Sequence, residues 1–150
     1  MANILYNAGN ADLHKSANAW DSSAIYKALL VRDTSTYVPD KDHATLAAMA
    51  GLVEISVPSY TRKDVTLRTV SVDNSTDEVM LDCADIDFGV LETGQTVKAI
   101  IIYRHVTADA DSVPLCYIDT DTVPLLPRAL GGGQFKVQIN ALGLIRSKQQ

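Results

Sequence analysis

The sequence predicts a mostly β chain folded as an antiparallel β-sandwich of jelly-roll-like type, with one short helix and an N-terminal arm. Three observations carry that expectation. About seven or eight short apolar segments recur at regular spacing with turn-forming residues between them, the pattern of sandwiches and barrels. Several of them alternate apolar and polar residues with period two. Helical segments do not interleave with them, which argues against a βαβ architecture.

Residues 1–23 are rich in Asn, Ala, Ser and Asp, and only Ile4, Leu5, Tyr6, Leu13 and Trp20 stand out as large apolar groups. They read as an N-terminal arm, with residues 24–150 forming the sandwich domain. Such an arm either orders against another subunit or covers the domain's own core, and the residues alone leave both open. IYKALLVR (25–32) is dense in large apolar side chains and stops at Asp33-Thr34-Ser35, a turn composition, so it reads as the first core strand. Between residues 38 and 51 lies the helix signal: Asp42 or Thr45 as N-cap, the strong formers of LAAM, and Gly51 to end it.

LVEISVP (52–58) reads as a strand stopped by Pro58. In DVTLRTVSV the apolar phase runs through Val65 and Leu67, then shifts to Val70 and Val72, as a bulge requires. The turn DNSTD and the segment EVMLDCA, with Val79, Leu81 and Cys83 on one face, complete a β-hairpin. VKAIIIYRH is apolar at both parities from Ala99 to Tyr103, which places it centrally, with both faces covered by the chain or one face turned to a partner. TADADS then separates it from VPLCYID, a second hairpin partner. DTDTVPLLPRALGGG is irregular, broken by Pro124 and Pro127, and its three glycines form a hinge before QFKVQIN, the last expected strand, with Phe135, Val137 and Ile139 facing one way.

At 150 residues the chain holds one core's worth of apolar side chains. Its formal net charge is -5, and apart from Arg62-Lys63 its cations are scattered singly, so nucleic acid, which is held by clustered cations, is not expected as a partner. No apolar run approaches the roughly 20 residues that cross a bilayer, and the first residues lack the basic start and apolar stretch of a signal peptide, so a membrane is not expected either and synthesis in a cytoplasm is. Cys83 and Cys116 each sit within an apolar segment and far from any CxxC spacing. Buried free thiols are favoured over a disulfide or metal pair.

The chemistry-bearing residues form no recognised pattern. His14, His43 and His105 have no ligand-spaced Glu or His, and pairing Cys116 with His105 as nucleophile and base requires assuming their proximity. Asp82, Asp85 and Asp87 form one carboxylate group; Asp109, Asp111, Asp119 and Asp121 form another. Their order lacks the glycine and terminal glutamate of a calcium loop, so solvated acidic loops are favoured over a Ca²⁺ site. Trp20, Tyr26, Tyr37, Tyr60, Tyr103 and Tyr117 are spread along the chain rather than gathered as a stacking platform. No cofactor and no enzymatic activity are expected. VPLLPRAL places Leu125, Leu126 and Leu130 in a proline-bounded loop where polar groups are usual; it reads as a contact site, or as a loop folded back over the sandwich end.

Four core-strand segments, at residues 27–31, 99–103, 115–119 and 135–144, follow one another in an order that resembles a widespread family of small structural proteins of tailed phages. Its members share a KVALL-like strand, an aliphatic stretch before a Tyr, an L-x-Y-I-D-like strand and a closing F-x-V-x-W/I-N-x-x-G-[IL] strand. Here Ile139 stands where Trp is frequent in that family, and the likeness runs from about residue 24 onward. The resemblance implies a virion protein, a capsid decoration or cement protein seated on the outside of the head. Its expected partners are major capsid subunits and further copies of itself, as dimer or trimer. The expected contacts are the arm and the loops around 33–45 and 123–133, with Leu5, Tyr6, Trp20, Tyr37, Leu125, Leu126, Arg128 and Leu130 as candidate interface residues. A tail or head-tail connector component is the alternative, and a receptor- or carbohydrate-binding module a second one.

Overall fold

The computed structural model describes residues 3–120, 122–140 and 143–148. In chain order its elements are β1 (Ile4–Leu5), α1 (Asn7–Leu13), β2 (Ile25–Arg32), β3 (Lys63–Asp64), β4 (Thr69–Asp73), β5 (Glu78–Asp82), β6 (Ile86–Val90), β7 (Thr96–His105), β8 (Val113–Ile118), β9 (Arg128–Ala129), β10 (Gln134–Val137) and β11 (Ile145–Lys148). Single 3-10 turns occupy Ser16–Asn18 and Leu46–Ala48. The chain is mostly β, the strand pairings among the described residues are all antiparallel, and the layers are those of a β-sandwich.

The main sheet runs β1-β8-β7-β2-β3, with β9 added to β7. β7 is its spine, paired with β2 from Ile25↔His105 to Arg32↔Val97 and with β8 from Ile100↔Ile118 to Arg104↔Val113. Its run of apolar residues at both parities is explained by two separate cores. Ile100 and Ile102, with Ala28 and Leu30 of β2, belong to a cluster that includes Ile86 and Phe88 of β6, Phe135 and Val137 of β10, and Trp20. Ala99, Ile101 and Tyr103, with Leu29 and Val31, belong to a second cluster completed by Tyr6, Tyr37, Leu46 and Met49. Burying one such aliphatic side chain contributes roughly 1.5–3 kcal/mol, so both faces of β7 stabilise the fold and neither is left for a partner.

The N-terminal segment, from Ile4 to Trp20, covers the chain's own core. Ile4 and Leu5 pair with Tyr117 and Cys116, and Trp20 is 1% exposed. The helix lies here and not between residues 38 and 51. α1 contains Asn and Gly and makes no side-chain cap, so tertiary packing holds it and propensity does not. Gly9 shows how: a Cβ there would stand 2.3 Å from the Pro114 carbonyl oxygen, so only glycine lets the helix lie this close to β8. At 45–51 the expected helix is reduced to the Leu46–Ala48 turn. The Thr45 side chain makes no capping bond, and the amides of Leu46 and Ala47 donate to Ser112 and Asp109 across the loop. Those tertiary bonds hold the segment against the second core in place of a helix.

Other departures have similar causes. Residues 52–57 form no regular strand: only Glu54 bridges to β2, and a turn at Pro58-Ser59 leads the segment away toward β3. The expected bulge near Leu67 is a full break between β3 and β4, with Leu67 at φ +50°. The β4/β5 hairpin forms as expected, from Thr69↔Asp82 to Asp73↔Glu78. β6 emerges from the acidic DCADIDFG segment, and β11 follows β10, so QFKVQIN is not the final strand and its regular pairing ends at Val137. β11 joins β5 to make a three-stranded sheet, β11-β5-β4, at one side of the body.

Candidate interaction surface

The candidate interface residues separate into two groups. Tyr6, Trp20, Tyr37 and Leu130 are at most 5% exposed, so they are core residues and offer no surface to a partner. Each aromatic is also committed by its polar atom: the Tyr6 and Tyr37 hydroxyls share a 2.8 Å hydrogen bond, Tyr37 continues to His43 Nδ1 at 3.2 Å, and Trp20 Nε1 donates to the Asp82 carbonyl at 2.7 Å. The sequence marks these side chains as large and amphipathic, which suits interfaces and interiors equally. Leu126 is half-buried against the first core, whereas Leu5, Leu125 and Arg128 remain on the surface.

The two loops expected to make contacts leave the same end of the main sheet. Arg32 pairs with Val97, Val97 pairs with Arg128, and the Asp33 amide donates to the Thr96 carbonyl, so Asp33 and Arg128 lie on either side of the start of β7. Farther along, the loops diverge: Tyr37 joins the second core, whereas Val123 bridges to Gln138, just past β10 of the first. Lys98 Nζ donates to the Ser35 carbonyl at 3.0 Å and ties the first loop down. On these loops Val38 is 73%, Val123 53% and Leu125 76% exposed. No separate sequence signal marks Val38 or Val123, each a single apolar residue beside a proline.

A second apolar surface was also not anticipated. On the three-stranded sheet, Val70 and Val72 of β4, Val79 and Leu81 of β5 and Ile145 of β11 share one face, as their cross-strand pairing requires. Together with Leu5, Leu13 and Trp20 most of them line a groove of about 550 Å³ between this sheet and the N-terminal segment. Arg68 fastens the base of the hairpin to that segment. Its guanidinium donates to the carbonyls of Trp20, Ser22 and Ala24 at 2.7, 3.0 and 2.6 Å and lies over the Trp20 and Tyr26 rings.

The polar clusters are structural in their bonding. Arg62 grips both oxygens of Glu54 and both of Asp109, and Glu54 also accepts from the Tyr60 hydroxyl at 2.6 Å. The bond from Arg62 holds the Asp109 carboxyl below its ordinary range. Asp85 pairs with Lys136 at 2.9 Å, and Asp87 accepts from the Gly89 amide and Gln134. Asp121 lies outside the described residues. Among the described residues no three His, Cys, Asp or Glu side chains converge as a metal-binding group. Cys83 and Cys116 are free and buried, and burial pushes both thiols up to about 12. Cys116 stands opposite Ile102 within the first core, so its sulfur stays protonated and is a poor nucleophile at neutral pH. No family model matches the chain, and no curated protein matches it.

Proposed function

We propose that this protein is a structural component of a tailed-phage particle, a capsid decoration or cement protein that binds the outer surface of the major capsid lattice and stabilises the head. The observation that supports this reading is that Val38, Val123 and Leu125 stand exposed on loops carried by a sheet packed on both faces. Apolar side chains left exposed on loops that a rigid scaffold holds in place suit contact with a partner. The order of the core-strand motifs supports the phage setting.

In this reading no bond is made or broken. Each copy, folded in the host cytoplasm, uses these loops to bridge a junction between capsid subunits in the virion. An ordinary interface of about 800 Å² per partner suffices, because neighbouring contacts on a lattice reinforce one another. Quantitative mass spectrometry and cryo-electron microscopy of purified particles test it. High copy number on the outer shell supports decoration. A small number of copies at one vertex or along the tail replaces it with a connector or tail role. Absence from the particle overturns both.

A further inference from the structure

We infer that β4 is a self-pairing edge through which two copies of this chain form a twofold dimer with one continuous six-stranded sheet. β4 ends the β11-β5-β4 sheet, and among the described residues no other strand hydrogen-bonds to its outer edge. All five of its residues are exposed. Natural sheet edges are blunted by lysine, proline, a bulge or a covering loop, because a free row of amides and carbonyls invites another strand. Thr69–Asp73 has none of these: its sequence is TVSVD and its pairing with β5 is regular. Instead it carries Val70 and Val72 at 43% and 64% exposure, on the face shared with the groove.

The occupant is a second copy because the edge is self-complementary. Two identical strands joined antiparallel about an axis normal to the sheet must pair residues of the same parity, so that side chains match faces. In the register that sets Ser71 opposite Ser71, every residue of β4 is paired. Val70 then meets Val72 of the other copy twice on one face, and Thr69 meets Asp73 twice on the other, with no carboxylate facing a carboxylate. Slipping by the next permitted step leaves residues at both strand ends unpaired within β4. The contact is isologous and therefore closes as a dimer without growing into a fibre. It uses neither of the loops that carry Val38, Val123 and Leu125, so it stands without the particle reading and leaves those loops free.

Three variants test it by analytical ultracentrifugation and oxidative cross-linking. The unmodified protein is expected to sediment as a concentration-dependent dimer. Val72→Lys, which sets cations across the new edge, is expected to weaken association at least about tenfold with circular dichroism and melting temperature unchanged. Ser71→Cys is expected to cross-link to itself, since directly opposed Cα atoms lie about 4.5–5.5 Å apart, within disulfide range. Thr69→Cys, roughly 14 Å from its own copy in this register, is expected not to. The native cysteines are buried and do not interfere. A monomer at every concentration, an unaltered dimer in Val72→Lys, or equal cross-linking by the two cysteine variants overturns the inference. Should Val72→Lys fail to fold, the cysteine pair decides alone.

Discussion

Arg68 is a half-buried cation that sequence reading treats as one member of a scattered set, and its replacement by alanine is the sharpest test of how the hairpin sheet is joined to the body. Its guanidinium serves three backbone carbonyls and two aromatic faces. Hydrogen bonds to a charged donor are worth about 1.5–3 kcal/mol when buried; discounting to about 1 kcal/mol each for partial exposure gives about 3 kcal/mol. Two ring contacts at about 0.5 kcal/mol each bring the expected loss for Arg68→Ala to about 4 kcal/mol. That is a large share of the roughly 5–15 kcal/mol that holds a domain together. In a domain of this size it lowers the melting temperature by about 8–16 °C. Urea unfolding at matched pH, with calorimetry as a check, measures it. Arg68→Lys is expected to recover less than half, because one ammonium cannot reproduce the planar fork that reaches Trp20, Ser22 and Ala24 together. A loss below about 1 kcal/mol, the size of an ordinary surface substitution, or full rescue by lysine, would refute the anchoring argument.

Four further outcomes follow from the same structure. Trp20 is the sole tryptophan and is 1% exposed, so native fluorescence should be blue-shifted and resistant to iodide, and Trp20→Ala should cost about 3–5 kcal/mol in urea unfolding. Cys83 and Cys116 should react with a thiol reagent only as fast as the protein unfolds, with two thiols released per chain in denaturant. Burial opposes the charge on Asp12, but hydrogen bonds from Lys15 and Arg104 outweigh it and lower its carboxyl, as the bond from Arg62 lowers Asp109. A folded carboxyl held below its unfolded value stabilises above that value and loses the contribution as pH falls through the folded one. Stability should therefore drop below about pH 4, less steeply in Asp12→Asn, as read by urea midpoints across pH. Leu125→Asp should change stability by less than about 0.5 kcal/mol and reduce occupancy on particles at least about tenfold, measured by quantitative mass spectrometry of purified virions.

What the sequence by itself determined was the local apolar patterning. IYKALLVR, VKAIIIYRH and VPLCYI are legible as continuous apolar runs and the β4/β5 hairpin by its alternation, because runs, period-two patterning and turn residues are all properties of consecutive positions. Burial of both cysteines follows from the same logic. What the tertiary structure alone decided was every question of which surface meets which. The helix formed at Asn7–Leu13, where Gly9 permits contact with β8, and shrank to one turn at Leu46–Ala48, where distant carbonyls took the amides. Tyr6, Trp20 and Tyr37 went inward because partners for their polar atoms were supplied by residues far along the chain, while Val70 and Val72, patterned like any half-buried strand, were left outside on an edge. Alternation says that a face is apolar; whether the chain itself covers that face depends on long-range packing, which no window of sequence contains.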